Sequence, residues 1–287
     1  MNVKVIESEG WRAEVAPALG GNIVSLSYKG RDIYVPLKNE KQLGINPYLQ
    51  GSPILLPANR TAGAKFGFNG KEYNLPVNEP ATGAHLHGLV HRQAFTVKYC
   101  GESEIKLFFE NKGDIYPFPF LLEVDYIIKD GIFYQEYTVI NTGKSEMPFT
   151  FALHATFIEP NSFSVPIDLC QEKDGFHIPT GKYVALNKQE QGYTSGSPPK
   201  GLIISGYYRA CGHTAYLDDL RYTVSENFDH WILFNGRGES GLLCVEPQCG
   251  KVNGLNTKNG YRTLSPGEEI KLWTELQIET RSCYEME

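Results

Sequence analysis

The chain has 287 residues, of which 41% are hydrophobic and 21% charged, enough apolar material to bury a sizeable core and too much for a disordered chain. Its net charge of -6 and its lack of clustered Lys and Arg exclude nucleic acid as an expected partner. No run approaches the roughly 18 to 20 apolar residues of a membrane span, and the start MNVKVIESEGWRAEV lacks a basic and then apolar leader, so a cytoplasmic protein without membrane contact is expected.

In chain order, strand patterns appear at GNIVSLSY (21–28), QAFTVKYC (93–100), EIKLFFE (104–110), FLLEVDYII (120–128) and IFYQEYTVI (132–140). They continue at TAYLDD (214–219), HWILFN (230–235), GLLCVEP (241–247) and EIKLWTELQIE (269–279). Each alternates polar with apolar residues or is rich in β-branched and aromatic ones. Turn chemistry separates them: YKGRD, FNGKE, KDG, NTGK, FNGRGES and SPGEE. No segment keeps an apolar 3.6-residue period over three turns, which leaves a βαβ architecture unsupported. The reading is all-β, a large antiparallel β-sandwich formed by one domain over 1–287, with the stretch LNKQEQGYTSGSPPKGL (186–202) as its most loop-like region.

The six cysteines, Cys100, Cys170, Cys211, Cys244, Cys249 and Cys283, are scattered without a C-x-x-C pair. Reduced thiols are expected rather than a disulfide framework or a zinc ribbon.

Three stretches could carry chemistry. In MPFTFALHATF (147–157), read as one strand, Phe149, Phe151, Leu153, Ala155 and Phe157 form a core face, and Thr150, Ala152, His154 and Thr156 the other. His154 then stands among small residues, with room for a ligand above it; a histidine hydrogen-bonded in a polar interior is the plainer reading until a partner is found. In GLLCVEPQCGKVNGLN (241–256) an apolar run leads into Glu246, and Pro247 is expected to end the strand there. Partial burial would raise that carboxyl toward a useful general-base value, although a salt-bridged structural glutamate fits as well. In GSPILLPANR a run bracketed by Pro53 and Pro57 delivers Asn59 and Arg60, strong hydrogen-bonding groups that could clamp ligand oxygens.

The stretch ATGAHLHGLVHR places His85, His87 and His91 within seven residues. An H-x-H pair in a β-rich chain suits a metal-binding barrel, but that arrangement wants a carboxylate a few residues later, and Gly88, Leu89, Val90 and His91 follow instead. No metal is therefore expected.

Taken together and in order, PILLPANR (53–60), FGFNGKEYNLPVNE (66–79), HLHGLVHRQAFTV (85–97), FALHATF (151–157) and VEPQCGKVNGLN (245–256) resemble the aldose 1-epimerase, or galactose mutarotase, family over most of the chain. The resemblance implies a galactose mutarotase-like supersandwich that interconverts the α and β anomers of a free aldohexose without a cofactor. It implies Glu246 as base and His154 as acid, with Arg60, His87 and Asn59 binding the sugar, and His85 and His91 playing no part. The family also uses an aspartate between the histidine and the glutamate, matched best by Asp218, with Asp219 beside it. The sequence departs from the family where Leu153, Ala155 and Thr156 replace the Gly, Pro and Tyr usually found around the histidine, so a different pocket wall and sugar preference are expected. A hexose-6-phosphate 1-epimerase and a non-catalytic sugar-binding protein are the alternatives. A monosaccharide is the expected partner, to a monomer or homodimer.

Overall fold

Alternation of buried and half-exposed side chains dictates the architecture. In strand Phe120–Lys129 every second side chain is buried, from Phe120 through Leu122, Val124 and Tyr126 to Ile128. Asp130 and Gly131, at φ of 55° and 74°, turn the chain into strand Ile132–Asn141. Both central residues of such a two-residue hairpin need the left-handed region, which Asp tolerates and Gly enters freely. The computed structural model describes residues 2–236, 238 and 241–279. Residues 237, 239 and 240 of the FNGRGES turn and Cys283 lie outside them.

Two large antiparallel sheets result. The first runs, in spatial order, Thr96–Cys100, Glu104–Asn111, Phe120–Lys129, Ile132–Asn141, Glu269–Ile278, Leu220–Val224, Thr214–Leu217 and Phe163–Ser164. The second runs Pro179–Ala185, Ile167–Lys173, Ser205–Ala210, His230–Phe234, Leu242–Cys249, Phe151–Leu153 and Ile54–Leu55, with Thr156–Ile158 also paired to Leu242–Cys249. Their inner faces meet. Tyr137 of the first sheet packs on Phe151 of the second at 5.4 Å between ring centres, and Tyr222 on Phe157 at 5.2 Å. A four-stranded sheet from Lys4 to Asp32 adds Ile6, Trp11, Val15 and Leu26 to the same buried cluster. The expected all-β antiparallel sandwich is the observed fold.

Three local expectations are corrected. The segment 147–157 is not one strand but Met147–Phe149, Phe151–Leu153 and Thr156–Ile158, broken at Thr150 and across His154 and Ala155. Its two faces still divide by alternation, with Phe149, Phe151, Leu153, Ala155 and Phe157 in the core. Strand Leu242–Cys249 does not end at Glu246; it continues through Pro247 as a central strand buried on both faces. The N–H of Val245 donates to Ala155 O at 3.0 Å, and two residues on Pro247 has no N–H to send the same way. The partner strand breaks next to that point, which is how a proline is accommodated here. Finally, the loop 186–202 contains the short helix Lys188–Gly192, started by a reciprocal capping box between Asn187 and Glu190.

The five described cysteines are free. No helix among the described residues is long and apolar enough to cross a membrane.

Candidate active site

The second sheet turns its outer face to a cleft of about 350 Å³. Strands Phe151–Leu153 and Thr156–Ile158 pair with Leu242–Cys249 in one continuous register, Ala152 opposite Gln248 and Thr156 opposite Cys244. His154 therefore faces Glu246. The His154 N–H donates to Pro53 O at 2.9 Å, which anchors the break in the strand, and Nε2 lies 3.5 Å from Glu246 Oε1.

Both side chains are almost wholly buried, at 7% and 3% exposure, so each resists charge. Burial pushes the Glu246 carboxyl well above the usual carboxylate range, with Arg60 opposing, and pushes the His154 imidazole down to about 4. Burial thus favours the uncharged form of the pair, carboxylic acid beside neutral imidazole. The pair shares one proton. Moving that proton across gives carboxylate and imidazolium with the same total charge.

Arg60 and His87 reach the cleft from neighbouring segments that are tied together. Arg60 pairs with Leu86 and Thr61 with His85, while the His87 N–H donates to Asn59 O at 2.9 Å. Both Asn59 and His87 sit in the left-handed region, at φ of 54° and 63°. Gly88 follows at φ 62°, and a Cβ there would stand 2.0 Å from Leu56 O. Only glycine fits behind the histidine. Burial, then the neighbouring His154 and Arg60, push the His87 imidazole well below its ordinary value, leaving it neutral.

The Arg60 guanidinium is held on two sides. It donates two bonds to the Glu79 carboxylate, at 2.8 and 2.7 Å, and one to the Tyr207 hydroxyl at 2.9 Å. Thr82 donates to the same carboxylate. From below, the Asn253 N–H donates to Arg60 O at 3.0 Å, and Asn253 Oδ1 accepts from Ala62 N–H. Across the cleft the Tyr48 ring touches the rings of His87, at 4.5 Å between centres, and of His154, at 5.8 Å.

The structure brings Arg60, His87, His154 and Glu246 to this cleft. Asn59 is buried beside it, and its side chain accepts from the Arg60 N–H, so it shapes the turn rather than lining the cleft. Asp218 lies elsewhere, which corrects the expectation that it meets the sugar. It occupies the turn between Thr214–Leu217 and Leu220–Val224, where its carboxylate accepts from the N–H groups of Asn161 and Ser162, both at 3.0 Å. It borders a separate cavity with Arg31 and Asp219, and Asp219 is paired with Arg31 at 2.8 Å. Glu79 is the carboxylate that sequence reading passed over in this cleft, together with Tyr48 and Tyr207. It closes the stretch FGFNGKEYNLPVNE, six residues before the histidine cluster, and only its distant partner Arg60 marks it out. His85 is buried with Nδ1 2.7 Å from Pro76 O, and His91 packs behind Tyr48 at 5.0 Å; neither borders the cleft.

A buried histidine and glutamate pair thus lies on the outer face of an antiparallel supersandwich, with an arginine and a second histidine beside it. The chain matches the aldose 1-epimerase family over residues 4–277 and belongs to that family. Among solved structures it is similar to a galactose mutarotase-like protein from Clostridium acetobutylicum, with a TM-score of 0.88, 23% identity, and 96% and 94% of the two chains covered. It is similar also to a galactose 1-epimerase from Lactobacillus acidophilus NCFM, with a TM-score of 0.78, 15% identity, and 96% and 93% covered. At such identities the likeness establishes the fold. The uncharacterized protein YihR of Escherichia coli K12 is 32% identical over 73 residues, which span 25% of this chain and 22% of that protein.

Proposed function

We propose that the protein is an aldose 1-epimerase acting on a free, neutral aldohexose such as galactose or glucose. The observation that carries this reading is the buried His154 and Glu246 pair, 3.5 Å apart and open to a cleft of monosaccharide size. Anomer exchange needs one group to take the proton from the O1 hydroxyl and one to protonate the ring oxygen O5. With its one proton on the imidazole, the pair supplies both: Glu246 accepts from O1 while His154 donates to O5. The bond between C1 and O5 breaks, the aldehyde turns about C1–C2, and closure on its other face reverses both transfers. Arg60 and neutral His87 orient the sugar oxygens and bear part of their charge in transit. The residues alone supply this chemistry, with no cofactor.

Among the described residues Arg60 is the only Lys or Arg bordering the cleft, and Glu79 already neutralises it, which favours an uncharged sugar over a hexose 6-phosphate. Polarimetry of freshly dissolved α-galactose and α-glucose tests the reading. The wild type speeds the approach to equilibrium, and Glu246→Gln, although still able to bind sugar, does not. Wild-type protein that binds the sugar without speeding exchange would instead be a non-catalytic sugar-binding protein.

A further inference from the structure

We propose that the cleft also binds a thiophilic divalent cation, of which Zn²⁺ is the type, through His154, Cys244 and Glu246. The ligand atoms of these three buried residues lie within 4.8 Å of one another. Strand geometry puts them there. Cys244 and Glu246 are two apart on one strand and so share its outer face, and His154 faces Glu246 across the register. The 3.5 Å between His154 Nε2 and Glu246 Oε1 is close to the separation of about 3.3 Å that two ligands at about 2.0–2.1 Å subtend at a tetrahedral zinc. Closing the site requires the Cys244 sulfur, within 4.8 Å of both atoms, to move inward by side-chain rotation.

The chemistry of the donor set selects the ion. Sulfur, nitrogen and oxygen together suit Zn²⁺ or Co²⁺, whereas Mg²⁺ and Ca²⁺ take oxygen ligands. Thiolate and carboxylate neutralise the two positive charges, and this matters where all three residues are buried. On binding, the Cys244 thiol proton and the proton shared by His154 and Glu246 leave to solvent. The Thr156 hydroxyl, 3.5 Å from Cys244 Sγ, is placed to orient the sulfur as an outer partner. Three protein ligands leave a fourth position, on the side of His154 and Glu246 that borders the cleft.

A cation seated there occupies the lone pairs that the acid and base need, so it inhibits anomer exchange. That consequence rests on the mutarotase reading; binding itself does not. Chelator-treated wild-type protein is titrated with Co²⁺ and then Zn²⁺ while its absorbance is followed, and anomer exchange is measured in parallel. One equivalent of Co²⁺ gives a sulfur-to-cobalt charge-transfer band that Zn²⁺ abolishes, and Mg²⁺ has no effect. Cys244→Ala and Cys244→Ser, with wild-type circular dichroism, lose the band, bind at least about 10-fold more weakly, keep metal-free exchange and resist inhibition by Zn²⁺. Binding without the band, or unchanged binding in both variants, overturns the site; exchange that requires added metal overturns the inhibition. A cobalt band from protein that exchanges no sugar leaves the site standing and removes the mutarotase reading.

Discussion

His154 Nε2 and Glu246 Oε1 stand 3.5 Å apart because two interrupted strands keep one register along Leu242–Cys249. The shared proton makes the two residues one unit. Glu246→Gln and His154→Asn are each expected to lower kcat/KM for a neutral hexose by about 10² to 10⁴. The double variant is expected to be little worse than the poorer single one, as for groups that act together. Steady-state kinetics on the four proteins checks this, and strictly additive losses would show the two acting independently.

The pH profile follows from the opposite shifts of the pair. Below about 4 the His154 imidazole takes a second proton and no base is left. Above the raised Glu246 value the pair loses its only proton and no acid is left. Activity in kcat/KM is therefore expected to hold from just above pH 4 and to fall, as pH rises, only at a pH well above the ordinary carboxylate range. The two limbs belong to the pair rather than to either residue. A profile that falls on the acid side near the ordinary histidine value, about 6.5, would show that His154 is not held neutral.

Gly88→Ala places a methyl group 2.0 Å from Leu56 O in a left-handed turn. Backbone must move, and the segment that carries His87 moves with it. The expected cost is above about 2 kcal/mol in denaturant unfolding, with weakened sugar binding in whatever folds. Unchanged stability would mean that the close approach of 56 and 88 is not fixed.

Glu79→Gln removes the charge that holds Arg60. Charged hydrogen bonds are worth about 1.5–3 kcal/mol, so kcat/KM for a neutral hexose is expected to fall by roughly 10- to 100-fold. The loss should fall mainly on KM, because in the proposed mechanism Glu79 acts through the sugar-binding group Arg60. Freed of its counter-charge, Arg60 should also improve binding of a hexose 6-phosphate. Inhibition constants for the phosphate sugar in both proteins measure this.

The long strands were legible because their alternation is local: Phe120–Lys129, Ile132–Asn141 and Glu269–Ile278 coincide with the patterns that announce them. Strands Ile167–Lys173 and Pro179–Ala185 were not, because their polar faces hide the period. Of the cleft, Arg60, His87, His154 and Glu246 stood in recognisable company. Glu79, Tyr48 and Tyr207 gain their meaning only from partners far along the chain, as when Arg60 reaches Tyr207 147 residues away. Asp218 shows the converse: a strand-end aspartate in the right order, whose carboxylate is consumed by the N–H groups of Asn161 and Ser162.

Magnetisation-transfer NMR on galactose, glucose and a hexose 6-phosphate, with and without the folded protein, measures anomer exchange at equilibrium. Acceleration with a neutral hexose, lost in Glu246→Gln, is the predicted result. No acceleration with either neutral hexose, or acceleration confined to the phosphate sugar, would contradict it.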